Sequence, residues 1–329
     1  MTKAAMDWAR VCASKRGLST IRTILRNYGI ILAFVSLFVV LSFSTPAFLT
    51  VRNLHNIVDQ SAEVGIVACA MTLAIISGNF DLSVGAIFAF AGCLAAMVAA
   101  NGYVGAGLIL GVLAGLLFGL INGSIIAGFR AHSFIATLAT GYMIRGLAMI
   151  LTGGRLIIVG SPAFKTLGQG SFMGIKYPIF VLLVWVVFTW MLLSKTTFGR
   201  AVYAIGGNAE AARLSGIRVD RVRTLIFGLN GISAALAGLL TVSRISQGQA
   251  DIGSLVDLQA ISRVVIGGTS ILGGEGAIWR TVFGVLLMRL MANGFNILNV
   301  SPFYQRVFEG AVILFAVALD TLTRSRRQS

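Results

Sequence analysis

A small set of polar side chains interrupts the otherwise apolar segments of this 329-residue chain. Their amide, hydroxyl, carboxylate and guanidinium groups could form hydrogen bonds with a polar solute inside a bilayer. A charge placed in hydrocarbon costs about 2.5–3.5 kcal/mol on insertion scales, so such residues indicate a functional site. The alternative is that each one ties two helices together, and the sequence leaves both readings open. The candidates for lining a translocation pathway are Asn79, Asp81, Ser83, Asn122, Arg145, Asn293 and Asn296.

A second set of residues lies in the basic, polar segment 195–223, between two long apolar runs. Asn208 is a good helix N-cap because its side chain can accept hydrogen bonds from the free amides of a first turn. Strong helix formers follow, and Glu210 lies in the first turn, where the helix dipole favours an acid. Gly216 suits the left-handed position that ends a helix. The spacing predicts a two-turn helix over 209–215, which is too short to be stable unless it packs against something.

Motifs for catalysis, metal binding and nucleotide binding are missing from the full sequence. It has no Gly-x-Ser-x-Gly elbow, no His-Glu-x-x-His pair and no Gly-x4-Gly-Lys-Ser/Thr phosphate loop. Two histidines, His55 and His132, lie at loop edges, and Cys12, Cys69 and Cys93 lack metal-ligand spacing. We therefore expect no enzyme activity, no metal and no cofactor bound by this chain.

The elements that must position these residues are membrane-spanning helices. The chain is 57% hydrophobic and only 11% charged, whereas soluble domains carry about 25% charged residues. Many apolar runs approach the ~20 residues that a helix needs to cross a bilayer, and the alternation of barrel strands is absent. The composition predicts an all-α polytopic membrane protein in contact with lipid.

The net charge of +15 follows membrane topology and does not indicate a nucleic-acid partner. Basic residues concentrate before the first span, in the segment 195–223 and at the C-terminus, and the segments between them hold far fewer. Because cytoplasmic segments are enriched in Lys and Arg, we expect both termini and the segment 195–223 in the cytoplasm. The predicted organisation is a basic tail (1–27), a single transmembrane domain (28–320) and a second basic tail (321–329).

About ten spans are predicted, at residues 28–44, 60–77, 83–100, 104–129, 133–152, 178–194, 222–243, 257–273, 278–297 and 303–320. Two Gly-rich polar interruptions, 77–85 and 267–276, lie between the second and third spans and between the eighth and ninth. Each interruption is either a loop or a helix break buried at membrane depth, as in broken or re-entrant segments of transporters. Their similar placement in the two halves suggests an internal two-fold repeat.

The fourth predicted span carries a glycine at every fourth position. Glycines at this spacing form a smooth strip that lets another helix approach closely. The strip predicts a crossed helix contact within one subunit, and a contact between subunits remains open. Its members are Gly107, Gly111, Gly115, Gly119 and Gly123.

Residues Glu210, Ala211, Ala212 and Gly216 resemble the EAA-x-x-x-G signature of ABC importer permeases. Five ordered stretches extend the resemblance to the ribose-type sugar permease family of bacterial ABC importers across roughly 50–320. They are Ser77–Gly85, Phe134–Leu138, Gly206–Glu210, Arg213–Ile217 and Val265–Gly274. Asn79 and Glu275 depart from residues that many family members carry.

The resemblance implies a permease subunit of the bacterial inner membrane that imports a monosaccharide. Its expected partners are a cytoplasmic ATPase, often with tandem nucleotide domains that bind ATP and Mg²⁺, a periplasmic sugar-binding protein, and a second permease subunit, the same or different. The residues expected to couple to the ATPase are Asn208, Glu210, Ala211, Ala212, Arg213 and Gly216. Two alternatives remain: an ABC permease for another solute such as branched-chain amino acids, and an ion-coupled secondary transporter.

Overall fold

Thirteen helices make up most of the part of the chain that the structure, a computed structural model, describes: residues 28–312, 314 and 318. The predicted tails 1–27 and 321–329, with Cys12, lie outside these residues. The helices are α1 (Tyr28–Ser44), α2 (Val51–Ile76), α3 (Val84–Ala100), α4 (Val104–Phe129), α5 (Ser133–Thr152), α6 (Pro162–Gln169), α7 (Tyr177–Lys195), α8 (Thr197–Gly207), α9 (Ala209–Leu214), α10 (Val219–Ile245), α11 (Val256–Ile266), α12 (Ile278–Ile297) and α13 (302–312 as described).

Within the described residues, five helices are long and apolar enough to cross a membrane. These are α2, α4, α5, α7 and α10, and α1 and α3 are shorter apolar helices. The prediction of an all-α polytopic membrane protein is therefore confirmed. Their buried faces pack mainly on α2 and α10, which form the centre of the bundle.

The second predicted span, 60–77, begins too late. Helix α2 starts at Val51, where the Thr50 side chain caps it by accepting from the Asn53 amide at 3.4 Å. Its first turns contain polar residues that a hydropathy reading assigns to a loop. They are stable in the helix because other helices supply partners, such as Asn293 for Asn53.

The eighth predicted span, 257–273, is also wrong in extent, because α11 has only 11 residues and ends at Ile266. Gly268 follows at a φ of +89°, a left-handed conformation that breaks the helix and suits glycine. The non-helical segment 267–277 then turns back to α12. It meets the other interruption where the Gly274 amide donates to the Ile76 carbonyl at 2.8 Å. Both predicted interruptions are therefore non-helical segments between helices, and their position at membrane depth stays a prediction.

Two ends of the bundle can be distinguished by the segments they carry. The coupling-loop end holds the interruptions 77–83 and 267–277, the turn 130–132 and the segment 196–218. The opposite end holds 153–176, where β1 (Ile157–Ile158) pairs antiparallel with β4 (Gln247–Gly248). There β2 (Ser171–Phe172) and β3 (Ile175–Lys176) form a hairpin. The segment 153–176 therefore contains short structure of its own, including α6.

The glycine strip of α4 lies inside this single chain, against α3 and α10. An added methyl group at Gly107 would lie 2.7 Å from the Ala95 carbonyl oxygen of α3. The same change at Gly115 would place it 2.6 Å from the Ala235 side chain of α10. Gly111, Gly119 and Gly123 are also buried in these contacts. The strip therefore allows α4 to pack closely on α3 and α10.

Candidate functional site

Helix α9 forms as the local sequence dictates. The Asn208 side-chain oxygen accepts hydrogen bonds from the amides of Glu210 and Ala211, each at 3.0 Å. Gly216 adopts a φ of +84°, and the Ile217 amide closes the end of the helix by donating to the Ala212 carbonyl at 3.0 Å. The prediction of a capped two-turn helix is confirmed, one residue shorter than 209–215.

Only one side of α9 is buried. Ala212 packs into a small cluster with Ile205 of α8 and Val219 of α10, which holds the helix against the end of the bundle. Glu210 and Arg213 are exposed, and so is Leu214, whose side chain is 82% exposed. An apolar residue presented at the tip of a polar loop is available to a protein partner.

The charges around α9 are arranged in a polar cavity of about 400 Å³. The Arg213 guanidinium donates to the Asp220 carboxylate at 3.1 Å, a contact between two exposed side chains. An exposed pair contributes at most about 1 kcal/mol, so Arg213 can exchange partners at little cost. The cavity extends from α9 to the α4–α5 turn, with Arg130 and His132 on its far wall.

Three of the seven pathway candidates form one buried hydrogen-bonded network. The Ser83 hydroxyl donates to the Asp81 carboxylate at 2.5 Å, and the Asn122 amide of α4 donates to the Ser83 hydroxyl at 2.7 Å. Asn230 of α10 is fully buried beside them. The network ties the first interruption to α4 in the interior of the chain, and Asn230 of α10 lies beside it without a side-chain hydrogen bond among the described residues.

The other four candidates lie apart from this network. Asn79 bonds to Ser77 at 3.0 Å and lines the polar cavity below α9. Arg145 of α5 donates to the Ala250 carbonyl at 2.6 Å, near the start of α11. Asn293 exchanges two hydrogen bonds with Asn53, and Asn296 accepts from Gln305. The structure thus brings the candidates to four separate places.

The opposite end of the bundle carries an ionic cluster that the sequence does not reveal. Asp59 is buried and accepts from Lys176 at 2.8 Å and from Arg244 at 3.1 Å. Arg244 also lies 3.3 Å from the Glu63 carboxylate. The cluster joins α2, the start of α7 and the end of α10. These residues lie far apart in sequence, and the basic pair falls in segments that read as ordinary loop edges.

The profile of one permease family matches residues 53–317, which is most of the chain. That family is described as the branched-chain amino acid transport system permease component. This chain belongs to that permease family. The family and the membrane-spanning helices make the chain a multi-pass membrane permease. Permease subunits of ABC importers are not enzymes themselves, so ATP hydrolysis takes place in a partner.

Several curated relatives of this permease are named for sugars. The ribose import permease protein of Bacillus subtilis is 43% identical over 300 residues, which are 90% of this chain and 93% of the relative. The L-arabinose ABC transporter permease protein of Azospirillum brasilense is 38% identical over 329 residues, 100% of this chain and 96% of the relative. The ribose import permease protein of Escherichia coli K12 is 37% identical over 88% of this chain and 92% of its own. No solved structure matches the chain.

A permease subunit of an ABC importer works with two kinds of partner: an ATPase and a solute-binding protein. Sequence reasoning predicted the capped helix that the structure shows as α9 but did not single out Leu214, Asp220 or Asn230. A signal existed for Leu214, since this leucine stands between Arg213 and Ser215 in a polar loop. Asn230 gave no usable signal, because a single amide in an apolar run is compatible with any helix face.

Proposed function

We propose that this permease is the transmembrane subunit of an ATP-driven importer for a monosaccharide. The observation that supports this proposal most strongly is the 43% identity to a ribose import permease across 90% of the chain. The description of the family names branched-chain amino acids, so leucine is the competing substrate to exclude.

Helix α9 is proposed to dock on a cytoplasmic ATPase with tandem nucleotide domains, which binds ATP and Mg²⁺. The exposed Leu214, Glu210 and Arg213 supply one apolar and two charged contacts. Closure of the ATPase would push on α9 and switch the pathway between the two faces of the membrane. Glu210→Lys should abolish stimulation of the ATPase by the permease, because it reverses a charge at the docking surface while leaving the buried Ala212 in place.

The complete importer is proposed to lie in a bacterial inner membrane with both termini cytoplasmic. A second permease subunit, the same or a sister chain, would complete the pathway, and a periplasmic sugar-binding protein would deliver the solute. A sugar is neutral and rich in hydroxyls, so amides such as Asn79 suit its passage better than full charges. Weak contacts favour release, and selection then rests mainly with the binding protein.

Uptake into proteoliposomes tests this function. The permease, its ATPase and its binding protein are reconstituted, and accumulation of labelled ribose, arabinose and leucine is measured with internal ATP. We expect accumulation of a monosaccharide that requires all three proteins and hydrolysable ATP. Accumulation of leucine instead would assign the solute to the amino-acid class. Uptake by the permease alone, driven by an imposed proton or sodium gradient, would make it a secondary transporter.

A further inference from the structure

We propose that the end of α8 connects the coupling loop to both interrupted helices through one backbone junction, with Gly206 and Tyr203 as its positioning residues. The junction is defined by three segments: 203–207, 76–78 and 273–276. The inference rests on the proposed function, since it names the route by which movement of α9 reaches the interruptions.

Three stretches of backbone touch at Gly206. A methyl group added to this residue would overlap the Ile76 carbonyl oxygen and would lie 2.5 Å from the Gly274 amide nitrogen. Ile76 ends α2, and Gly274 lies in the second interruption. The α8 backbone therefore packs directly against both interruptions, with no side chain between them.

Hydrogen bonds close the same junction. The Gly274 amide donates to the Ile76 carbonyl at 2.8 Å, which joins the two interruptions to each other. The Tyr203 hydroxyl of α8 donates to the Gly276 carbonyl at 2.7 Å. Burial raises the pKa of the Tyr203 phenol, against a smaller lowering by Arg280, so the phenol stays protonated and remains a donor.

The conformation of the second interruption depends on glycine at the contact. Gly273 and Gly274 have φ values of +89° and +75°, which side chains rarely adopt. An added methyl at Gly273 would lie 3.0 Å from the carbonyl oxygens of both Gly206 and Ile76. The sequence therefore preserves a close approach of backbones at this one place.

A junction made of backbone contacts transmits displacement stiffly. Side chains can change rotamer and absorb a small movement, whereas packed backbone atoms cannot. Asn208 alone separates α8 from α9, so a push on α9 moves Gly206, and Gly206 moves Ile76 and Gly274 together.

Hydrogen–deuterium exchange on the purified permease tests the connection without any partner. Tyr203→Phe removes one hydrogen bond, and one bond changes a local opening equilibrium by about twofold to tenfold. We expect faster exchange in three peptides: around Tyr203, across 76–80 and across 267–277. Faster exchange confined to the peptide around Tyr203 would overturn the junction. Tyr142→Phe, on an exposed residue of α5, is the matched control and should leave all three unchanged.

The reconstituted importer tests transmission by the ratio of solute moved to ATP hydrolysed. Tyr203→Phe should lower this ratio by about twofold to tenfold while ATPase activity continues. Gly206→Ala should lower it further, whereas Gly207→Ala should not, because a methyl at Gly207 meets no atom within 4 Å. If these residues were only structural, the variants would yield less folded protein, but the folded protein would move as much solute per ATP as the unchanged chain. That result would overturn the proposal. If the wild-type complex moves no solute, the proposed function fails and the exchange pattern alone decides the junction.

Discussion

At the scale of single residues, Asn208 fixes where the coupling helix begins. Its side chain satisfies two of the free amides of the first turn, and replacing such a cap with alanine typically costs about 1 kcal/mol. The six-residue α9 has little else to hold it than the burial of Ala212. We therefore expect Asn208→Ala to populate a frayed loop and to reduce stimulation of the partner ATPase by roughly fivefold. Steady-state ATPase assays on the reconstituted complex measure this.

The matched substitution is Asn208→Asp, which keeps an oxygen acceptor at the cap and adds a charge favoured at a helix N-terminus. It should retain stimulation close to that of the unchanged chain. Equal losses in the Ala and Asp variants would mean that the Asn208 amide itself contacts the partner and that capping is not the cause.

The limits of sequence reasoning are also clear at this scale. The helix over 209–214 was predictable because every determinant is local: the cap, the helix formers and Gly216. The network of Asp81, Ser83 and Asn122 was predictable only as a set of candidates. Which of them meet depends on how α3 and α4 cross, and no feature within either segment records that crossing.

At the scale of elements, α2 is held near its start by Asp59. This buried carboxylate binds Lys176 and Arg244, so it links α2 to α7 and α10. Removing one partner of a buried ion pair costs about 3–5 kcal/mol where the remaining charge stays buried without compensation. Here Arg244 keeps its contact with Glu63, so the loss falls at the low end of that range. We expect Asp59→Asn to lower the free energy of unfolding by about 3 kcal/mol, since Lys176 can still turn toward water. Thermal unfolding in detergent micelles measures the change.

Asp220→Asn is the comparison for that measurement. It also removes a carboxylate from an arginine, but both partners are exposed and the pair contributes about 0–1 kcal/mol. A similar loss of stability in the two variants would contradict the view that burial gives the Asp59 cluster its strength.

The contact between α4 and α10 gives a second prediction about elements. Gly115 faces Gly231 and Ala235 so closely that a methyl group cannot fit without moving the helices. Gly115→Ala should destabilise the permease by about 1–3 kcal/mol, the usual effect of overpacking. Gly128→Ala, in the same helix with no atom within 4 Å of the added methyl, should be neutral or slightly stabilising. Melting temperatures of the two variants would be compared, and equal shifts would refute the tight contact.

The positions of most helices could be predicted because apolar length decides them, and the exceptions have a common physical reason. The start of α2 was missed because Asn53 and Asp59 look like loop residues until their partners on other helices are known. The end of α11 was misplaced because apolar residues continue past Gly267, while the backbone turns there to reach Ile76. Long-range contacts, which hydropathy does not contain, set both boundaries.

At the scale of the whole molecule, the two ends differ in how their basic residues are neutralised. At the opposite end, Lys176 and Arg244 are bound by the buried Asp59, and only Arg155 and Lys165 of the segment 153–176 have no ion pair among the described residues. At the coupling-loop end, Asp220 neutralises Arg213, while Arg130, Lys195, Arg200, Arg218 and Arg221 have no ion pair among the described residues. The excess of unpaired positive charge therefore lies at the coupling-loop end, which strengthens the expectation that this end faces the cytoplasm.

Labelling of single cysteines tests this orientation. In a chain carrying Cys12→Ser, Cys69→Ala and Cys93→Ala, Ser215→Cys places a thiol in the exposed coupling loop, and Ser171→Cys places one at the opposite end. A membrane-impermeant maleimide should label the first only in inverted vesicles and the second only in intact spheroplasts. Both positions are exposed, so access to the reagent depends on the side of the membrane and not on burial. The reverse pattern would put α9 outside the cell, where no ATPase could drive it, and the proposed mechanism would fail.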